Sequence, residues 1–264
     1  MERGIVFIGA GNVATHLATE LHRCGFPIMQ IYSRTIASAS ALASRVEAQP
    51  ITHIVDVTDQ AGLYIFSVKD DVLEDLIEAL PPNNGVWVHT AGSMPLDLFE
   101  ASADRYGVLY PFQTFTKGIP VEWEKVPVYI EASDKETLEI LNNVCCRMSD
   151  NVKEMPSESR KFVHLAGVFA CNFSNFMFSL SESIIERAGL TKEDLLPLIN
   201  QTCKKIHRLT PHEAQTGPAI RFDENVMDKH MLMLQDENLR SVYELLSKGI
   251  YELHNSKENE YDKL

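Results

Sequence analysis

Ile5-Val6-Phe7-Ile8 runs directly into Gly9-Ala10-Gly11-Asn12-Val13-Ala14. The four apolar residues read as a buried strand, and the six that follow are a G-x-G-x-x-A turn. Such a turn needs glycine first for the tight bend and no side chain at the second glycine, where a pyrophosphate meets the backbone. A small third residue then lets the next helix lie close to the sheet. That helix is legible, because Val13, Leu17, Leu21 and Cys24 fall one turn apart and Gly25 stands where a C-terminal cap belongs. Its free N–H groups suit a phosphate. The stretch predicts a dinucleotide site at Gly9, Gly11, Asn12, Val13 and Ala14, opening an α/β fold with a doubly wound, mainly parallel Rossmann sheet.

The second strand of such a unit normally ends in Asp or Glu, whose carboxylate takes the ribose hydroxyls of NAD. Here Ile28-Met29-Gln30-Ile31-Tyr32 leads into Ser33-Arg34-Thr35. Hydroxyls and a guanidinium fork match phosphate oxygens, so the expected cofactor is NADP.

The formal charge of -13 and the pI near 5.1 argue against nucleic acid or an anionic membrane as partner. The five cysteines lack C-x-x-C spacing and are expected to be reduced core residues of a cytoplasmic protein. The first strand begins almost at Met1, so no signal peptide is expected before it. Phe162 to Leu180 contains no Asp, Glu, Lys or Arg over nearly the length of a membrane span, yet holds His164, Asn172, Ser174, Asn175 and Ser179. Those polar groups favour a helix buried in protein over one in lipid.

Strand-like and helical segments continue to alternate. Leu63–Phe66 precedes a helix through Val72, Leu73, Leu76, Ile77 and Leu80, which Asp70 is expected to cap and Pro81-Pro82 to stop. Further strands are expected at 85–89, 107–110 and 126–131, with a helix through Leu138, Leu141, Cys145 and Met148. From Pro156 the pattern becomes helical: a long helix capped by Ser157 and ended by Gly189, and another from Thr191 kinked at Pro197. A loop from Thr210 to Asp223, a last helix through Leu239 to Leu253 and a frayed tail from Asn255 complete it. The predicted domains are 1–154 and 155–264, the second all-helical.

Ligands of an open doubly wound sheet bind at the carboxyl ends of the strands. This selects Ser67, Val68 and Lys69 beside Asp70, and His89, Thr90 and Gly92 beside Ser93, as further cofactor contacts. Hydride transfer also needs a proton donor. His164 and Asn172, eight residues apart and near one helical face, are the catalytic candidates, with Asn175 behind them and Arg221 and Asp223 as a carboxylate anchor or a mutual pair. The histidines, including His207 and His212 near Glu213, lack metal-site spacing, and there is no G-x-S-x-G elbow.

The glycine turn, Tyr32-Ser33-Arg34-Thr35, Ser67-Val68-Lys69-Asp70, His89-Thr90-Ala91-Gly92-Ser93, the run from His164 to Asn172 and Thr216-Gly217-Pro218 together resemble a family of NADP oxidoreductases. In that family a Rossmann domain is joined to a helical domain of unknown function. More distantly the chain is similar to pyrroline-5-carboxylate reductase and to the hydroxyisobutyrate and 6-phosphogluconate dehydrogenases. These resemblances imply a homodimer through the helical domains and a small-molecule substrate between the domains. The dehydrogenases carry a catalytic Lys one turn before an Asn, whereas here Val168 precedes Asn172 and Lys161 lies too far away. The expected activity is hydride transfer between NADPH and a small carbonyl or imine. The alternatives are a non-catalytic NADP sensor or dimeric scaffold, and pyrroline-5-carboxylate reductase itself, whose hallmark substrate loop the chain lacks.

Overall fold

The computed structural model describes residues 3–255; of the tail expected to fray from Asn255, Asn255 itself ends the last helix and the remainder lies outside the described residues. They form two compact units that divide between Phe173 and Ser174.

In the first unit eight strands make one sheet in the order β3-β2-β1-β4-β5-β6-β7-β8. They are β1 (Ile5–Ile8), β2 (Ile28–Tyr32), β3 (Gln49–Ile51), β4 (Leu63–Phe66), β5 (Val86–His89), β6 (Tyr106–Pro111), β7 (Val128–Ala132) and β8 (Val152–Glu154). Only β6 and β7 pair antiparallel among the described strands. Both faces are covered, and alternate residues of the apolar runs serve different cores. Ile5, Phe7, Leu63 and Ile65 join one cluster, while Val6, Ile8, Tyr64 and Phe66 join the other. That is why these strands read as unbroken hydrophobic runs. Strand β8 ends at Glu154, the last residue of the first expected domain, whereas residues 155–173 belong to the first compact unit.

The helices of this unit are α1 (Asn12–Arg23), α2 (Ile36–Ala43), α3 (Leu73–Ala79), α4 (Lys135–Cys145) and α5 (Ser157–Gly167), the last continued by a π-helical stretch, Val168–Phe173. Gly25 closes α1 in the left-handed region, with its N–H donating to the His22 carbonyl. Two expected caps are not made. A short 3-10 turn, Asp70–Val72, precedes α3, and the Asp70 carboxylate instead accepts from Ser93 Oγ. Pro156 occupies the cap position of α5, because the Ser157 hydroxyl is drawn into a bond with Glu131.

The second unit contains α6 (Ser174–Ile185), α7 (Lys192–Ile206), α8 (Pro211–Ala214), α9 (Glu224–Met233) and α10 (Glu237–Asn255). Gly189, at φ 72°, ends the run before α7, and Thr191 with Asp194 forms a capping box. Helix α7 continues through Pro197, which lies in its interior. The segment read as a loop contains α8, because Thr210 and Glu213 make a second capping box around Pro211.

Two expectations about burial fail. Of the five cysteines, all unpaired, only Cys145 is buried; Cys146 and Cys203 are exposed. Much of the charge-free helix is also left exposed among the described residues. Phe162 is 72% and Phe169 62% exposed, and Phe173, Phe176 and Phe178 are exposed as well. The helical run Ser157–Ala188 is long and apolar enough to cross a membrane. Its apolar residues run nearly all round the helix, and the described residues leave much of that surface uncovered.

Candidate active site

The apolar run of β1 ends at Gly9, whose N–H donates to the Tyr32 carbonyl at 2.9 Å, and the chain turns there at φ 121°. Gly11 caps α1 with its backbone. A Cβ built on Gly11 meets no atom within 4 Å. The second glycine therefore opens space over the turn, as a pyrophosphate requires. A cavity of about 690 Å³ lies over it, lined by Gly9 through Val13. Ser33, Arg34 and Ser38 line it near the end of β2, and Ser67, Val68 and Lys69 where β4 ends. Sequence reasoning found most of these, but not Ala10, nor Asp71, Val72, Asp75 and Leu76, which follow β4 and also line the cavity. It also missed Ser38, which sits one turn into α2 beyond the strand-exit pattern.

Five expected cofactor contacts, Ala14, Thr35, His89, Thr90 and Gly92, are not among the residues that line this cavity. Ala14 is fully buried and lets α1 lie close to the sheet. Thr35 caps α2, its hydroxyl accepting from the Ser38 N–H at 3.4 Å. His89 is fully buried at the end of β5, with Ala91 N–H donating to its Nδ1 and its Nε2 facing the Pro95 carbonyl, each at 3.2 Å. Because Nδ1 must accept, the ring proton sits on Nε2 and the ring is neutral. Burial, then the nearby Arg160 cation, pushes its pKa down to about 4. His89 thus fixes the loop 89–95.

That loop links the nucleotide cavity to a second one. Thr90 Oγ1 donates to Ser67 Oγ, which lines the first cavity, at 3.2 Å. Two residues on, a Cβ built at Gly92 would stand 2.7 Å from His164 Nδ1 and 2.8 Å from Tyr110 Cζ. Only glycine leaves room there for this pair. The Tyr110 hydroxyl and His164 Nδ1 are 3.1 Å apart. Burial pushes the phenol up to about 12, so it keeps its proton near neutrality.

Both side chains line a cavity of about 290 Å³ together with Asn172. The two catalytic candidates are therefore brought together, although the π-helical stretch alters the phase between them. Val168, at the position of the dehydrogenases' lysine, lines the same cavity. Sequence reasoning missed Tyr110, whose only signal is its place near the carboxyl end of β6.

The loop after β6 connects the two cavities a second time. Gln113 and Thr114 line the smaller one, the Thr116 carbonyl meets His16 Nε2 at 2.9 Å, and Lys117 Nζ donates to the Ala10 carbonyl at 2.9 Å. Beneath the site, Arg160 is 1% exposed and donates to Glu131 Oε2 and to the Met94 carbonyl, each at 2.5 Å. The pair ties α5 to β7 and to the loop after β5. Nothing in the local spacing of these residues announces it.

Other candidates belong to the second unit. Asp223 caps α9, accepting from the Val226 N–H at 3.3 Å, rather than pairing with Arg221. His212 stacks on His254 with ring centroids 4.0 Å apart, and Glu213 serves its capping box. Asn175 lies in α6 and is exposed.

Residues 4–88 match the family model described as NADP oxidoreductase coenzyme F420-dependent, and residues 126–250 match a domain of unknown function, DUF2520. Among curated proteins none matches the chain. Among solved structures, the Bacteroides fragilis protein BF3122, an NADP oxidoreductase by name, is 45% identical with a TM-score of 0.89 over 95% of this chain and 98% of its own. The Thermotoga maritima protein TM1727 is 22% identical, with a TM-score of 0.78 over 96% of this chain and 100% of its own. A reductive aminase from Aspergillus terreus, solved with NADPH and ethyl levulinate, is 14% identical with a TM-score of 0.68 over 98% of this chain and 97% of its own. These two share the fold. The chain belongs to the NADP oxidoreductase family in which an NADP-binding Rossmann domain is followed by a DUF2520 domain.

Proposed function

We propose that the protein is a reductase of a small carbonyl or imine substrate, with NADPH over the glycine turn and the substrate beside Tyr110 and His164. The observation that carries this reading is the Tyr110–His164 hydrogen bond, set against Gly92 of the loop that borders the nucleotide cavity. Bound NADPH supplies the hydride. The reacting carbon receives it, the C=O or C=N electron pair falls on the heteroatom, and the Tyr110–His164 pair delivers the proton that this atom takes. Asn172 is suited to hold the heteroatom by its amide. Ser33 and Arg34 receive the 2′-phosphate, and the guanidinium fork favours NADPH over NADH.

The exposed apolar helix supports a homodimer. Phe162, Phe169, Phe173 and Phe176 are all exposed on one helical run, apolar surface of the kind that marks an association site, and a second copy offers a matching face. The charge of -13 disfavours nucleic acid and anionic membranes as partners.

Deuterium on the transferable position of the NADPH nicotinamide tests the chemistry. Incubated with a panel of small ketones, alone and with a simple amine, the protein is expected to place deuterium on the former carbonyl carbon of an alcohol or amine product. Tight NADPH binding with no labelled product across the panel supports the sensor or scaffold alternative instead.

A further inference from the structure

We infer that the cavity beside Tyr110 and His164 is built for an uncharged substrate, a small neutral ketone, aldehyde or imine that bears no carboxylate; this rests on the reductase reading above. The cavity, about 290 Å³, is lined by Tyr110, Phe112, Gln113, Thr114 and the α5 to π-helix face from His164 to Asn172. None of its lining residues is Asp, Glu, Lys or Arg.

Three cations on neighbouring segments already have partners. Arg160, which bears on Tyr110 electrostatically, has its charge met by Glu131 at 2.5 Å and gives its terminal nitrogens to Glu131, Ser157 Oγ and the Met94 carbonyl, while its buried Nε has no hydrogen-bond partner among the described residues. Lys161 pairs with Glu158 at 2.6 Å. Lys117 is bonded to Ala10. With the His164 imidazole neutral, a carboxylate brought here would lose water and find no Lys or Arg in the lining to replace it.

What the walls do offer suits a neutral molecule. Phe112, Val168 and Ala170 give an apolar side, while Gln113, Thr114 and Asn172 present amide and hydroxyl groups that hydrogen-bond a carbonyl or amine without needing charge. The cavity lies at the small end of the range for ligand sites, so the substrate is small as well. This lining also weighs against pyrroline-5-carboxylate as substrate, because its carboxylate has no partner here.

The test compares ethyl levulinate with levulinate, two ketones that differ in an ester against a carboxylate. Binding to the NADPH-saturated protein is read by ligand-observed NMR at pH 8, above the ordinary imidazole range, and NADPH oxidation is followed in parallel. The ester is expected to bind at least about tenfold more tightly than the acid. Gln113→Arg should narrow or reverse that ratio by supplying the missing cation.

Equal binding, tighter binding of the acid, or binding of neither compound overturns the inference. If the acid is preferred and NADPH is oxidised, the reductase reading survives and the neutral-substrate inference falls. If the ester is preferred but no NADPH is consumed, with or without an amine, the cavity's preference for an uncharged ligand stands, and the reductase reading falls together with the claim that this ligand is a substrate.

Discussion

His164→Ala is expected to lower kcat by between about a hundredfold and ten-thousandfold, the range for loss of a general acid. NADPH affinity should change by less than about twofold, well under a kcal/mol, because His164 does not line the nucleotide cavity. The substitution removes the ring that meets the Tyr110 hydroxyl at 3.1 Å, so the phenol loses its partner together with the route by which its proton is replaced. Steady-state kinetics and calorimetric titration separate the two effects. A loss in kcat below about tenfold would show that the proton comes from elsewhere. Equal losses of turnover and NADPH affinity would instead make His164 a residue of the nucleotide site.

Gly9→Ala is expected to destabilise the fold by about 3 kcal/mol or more, from left-handed strain together with a clash. The backbone there has φ 121°, and the new Cβ would stand 2.2 Å from the Ser67 carbonyl oxygen and 3.0 Å from Val68 Cγ1. Both neighbours belong to the segment leaving β4, so the adjustment must push β1 and β4 apart in the middle of the sheet. In a chain of this size the midpoint of thermal unfolding should fall by roughly 6–12 °C. Gly11→Ala is the matched control. Its Cβ meets nothing within 4 Å, so stability should hold, but the methyl group enters the space above the turn and NADPH binding should weaken. The two glycines thus divide the work: Gly9 permits the turn, and Gly11 keeps its surface clear. Equal unfolding midpoints for the two variants would contradict that division.

The parts of the molecule legible in its sequence were those fixed by neighbours in the chain. Strand β1, the glycine turn and α1 follow one another without interruption, so periodicity and turn chemistry identify them together. Strand β2 could be read to its observed ends, Ile28 and Tyr32, because Ser33 and Arg34 break its apolar run. Strand β8 escaped notice because its residues, Val152-Lys153-Glu154, are half-buried or exposed and carry no apolar run.

What remained hidden was decided at long range. Tyr110 and His164 belong to elements far apart in the chain and meet because β6 and α5 are packed in one unit. Asp70 could not be assigned locally, because Ser93, at the exit of a different strand, competes for its carboxylate. The same is true of Ser157, which Glu131 of β7 draws away from the cap of α5. His89 stood at the expected strand exit, yet its two ring nitrogens are taken by Ala91 and Pro95, so its position in the pattern misstated its task.

The central claim, an NADP site built on the glycine turn and Arg34, is tested most directly by calorimetric titration with NADPH and NADH, on the protein and on Arg34→Ala. NADPH is expected to bind more tightly than NADH. Arg34→Ala should cost NADPH about 1.5–3 kcal/mol, the worth of a hydrogen bond to a charged group, while leaving NADH nearly unchanged. Equal affinity for both nucleotides, or no effect of Arg34→Ala on NADPH, would contradict the role given to Arg34, and no binding of either would contradict the site itself.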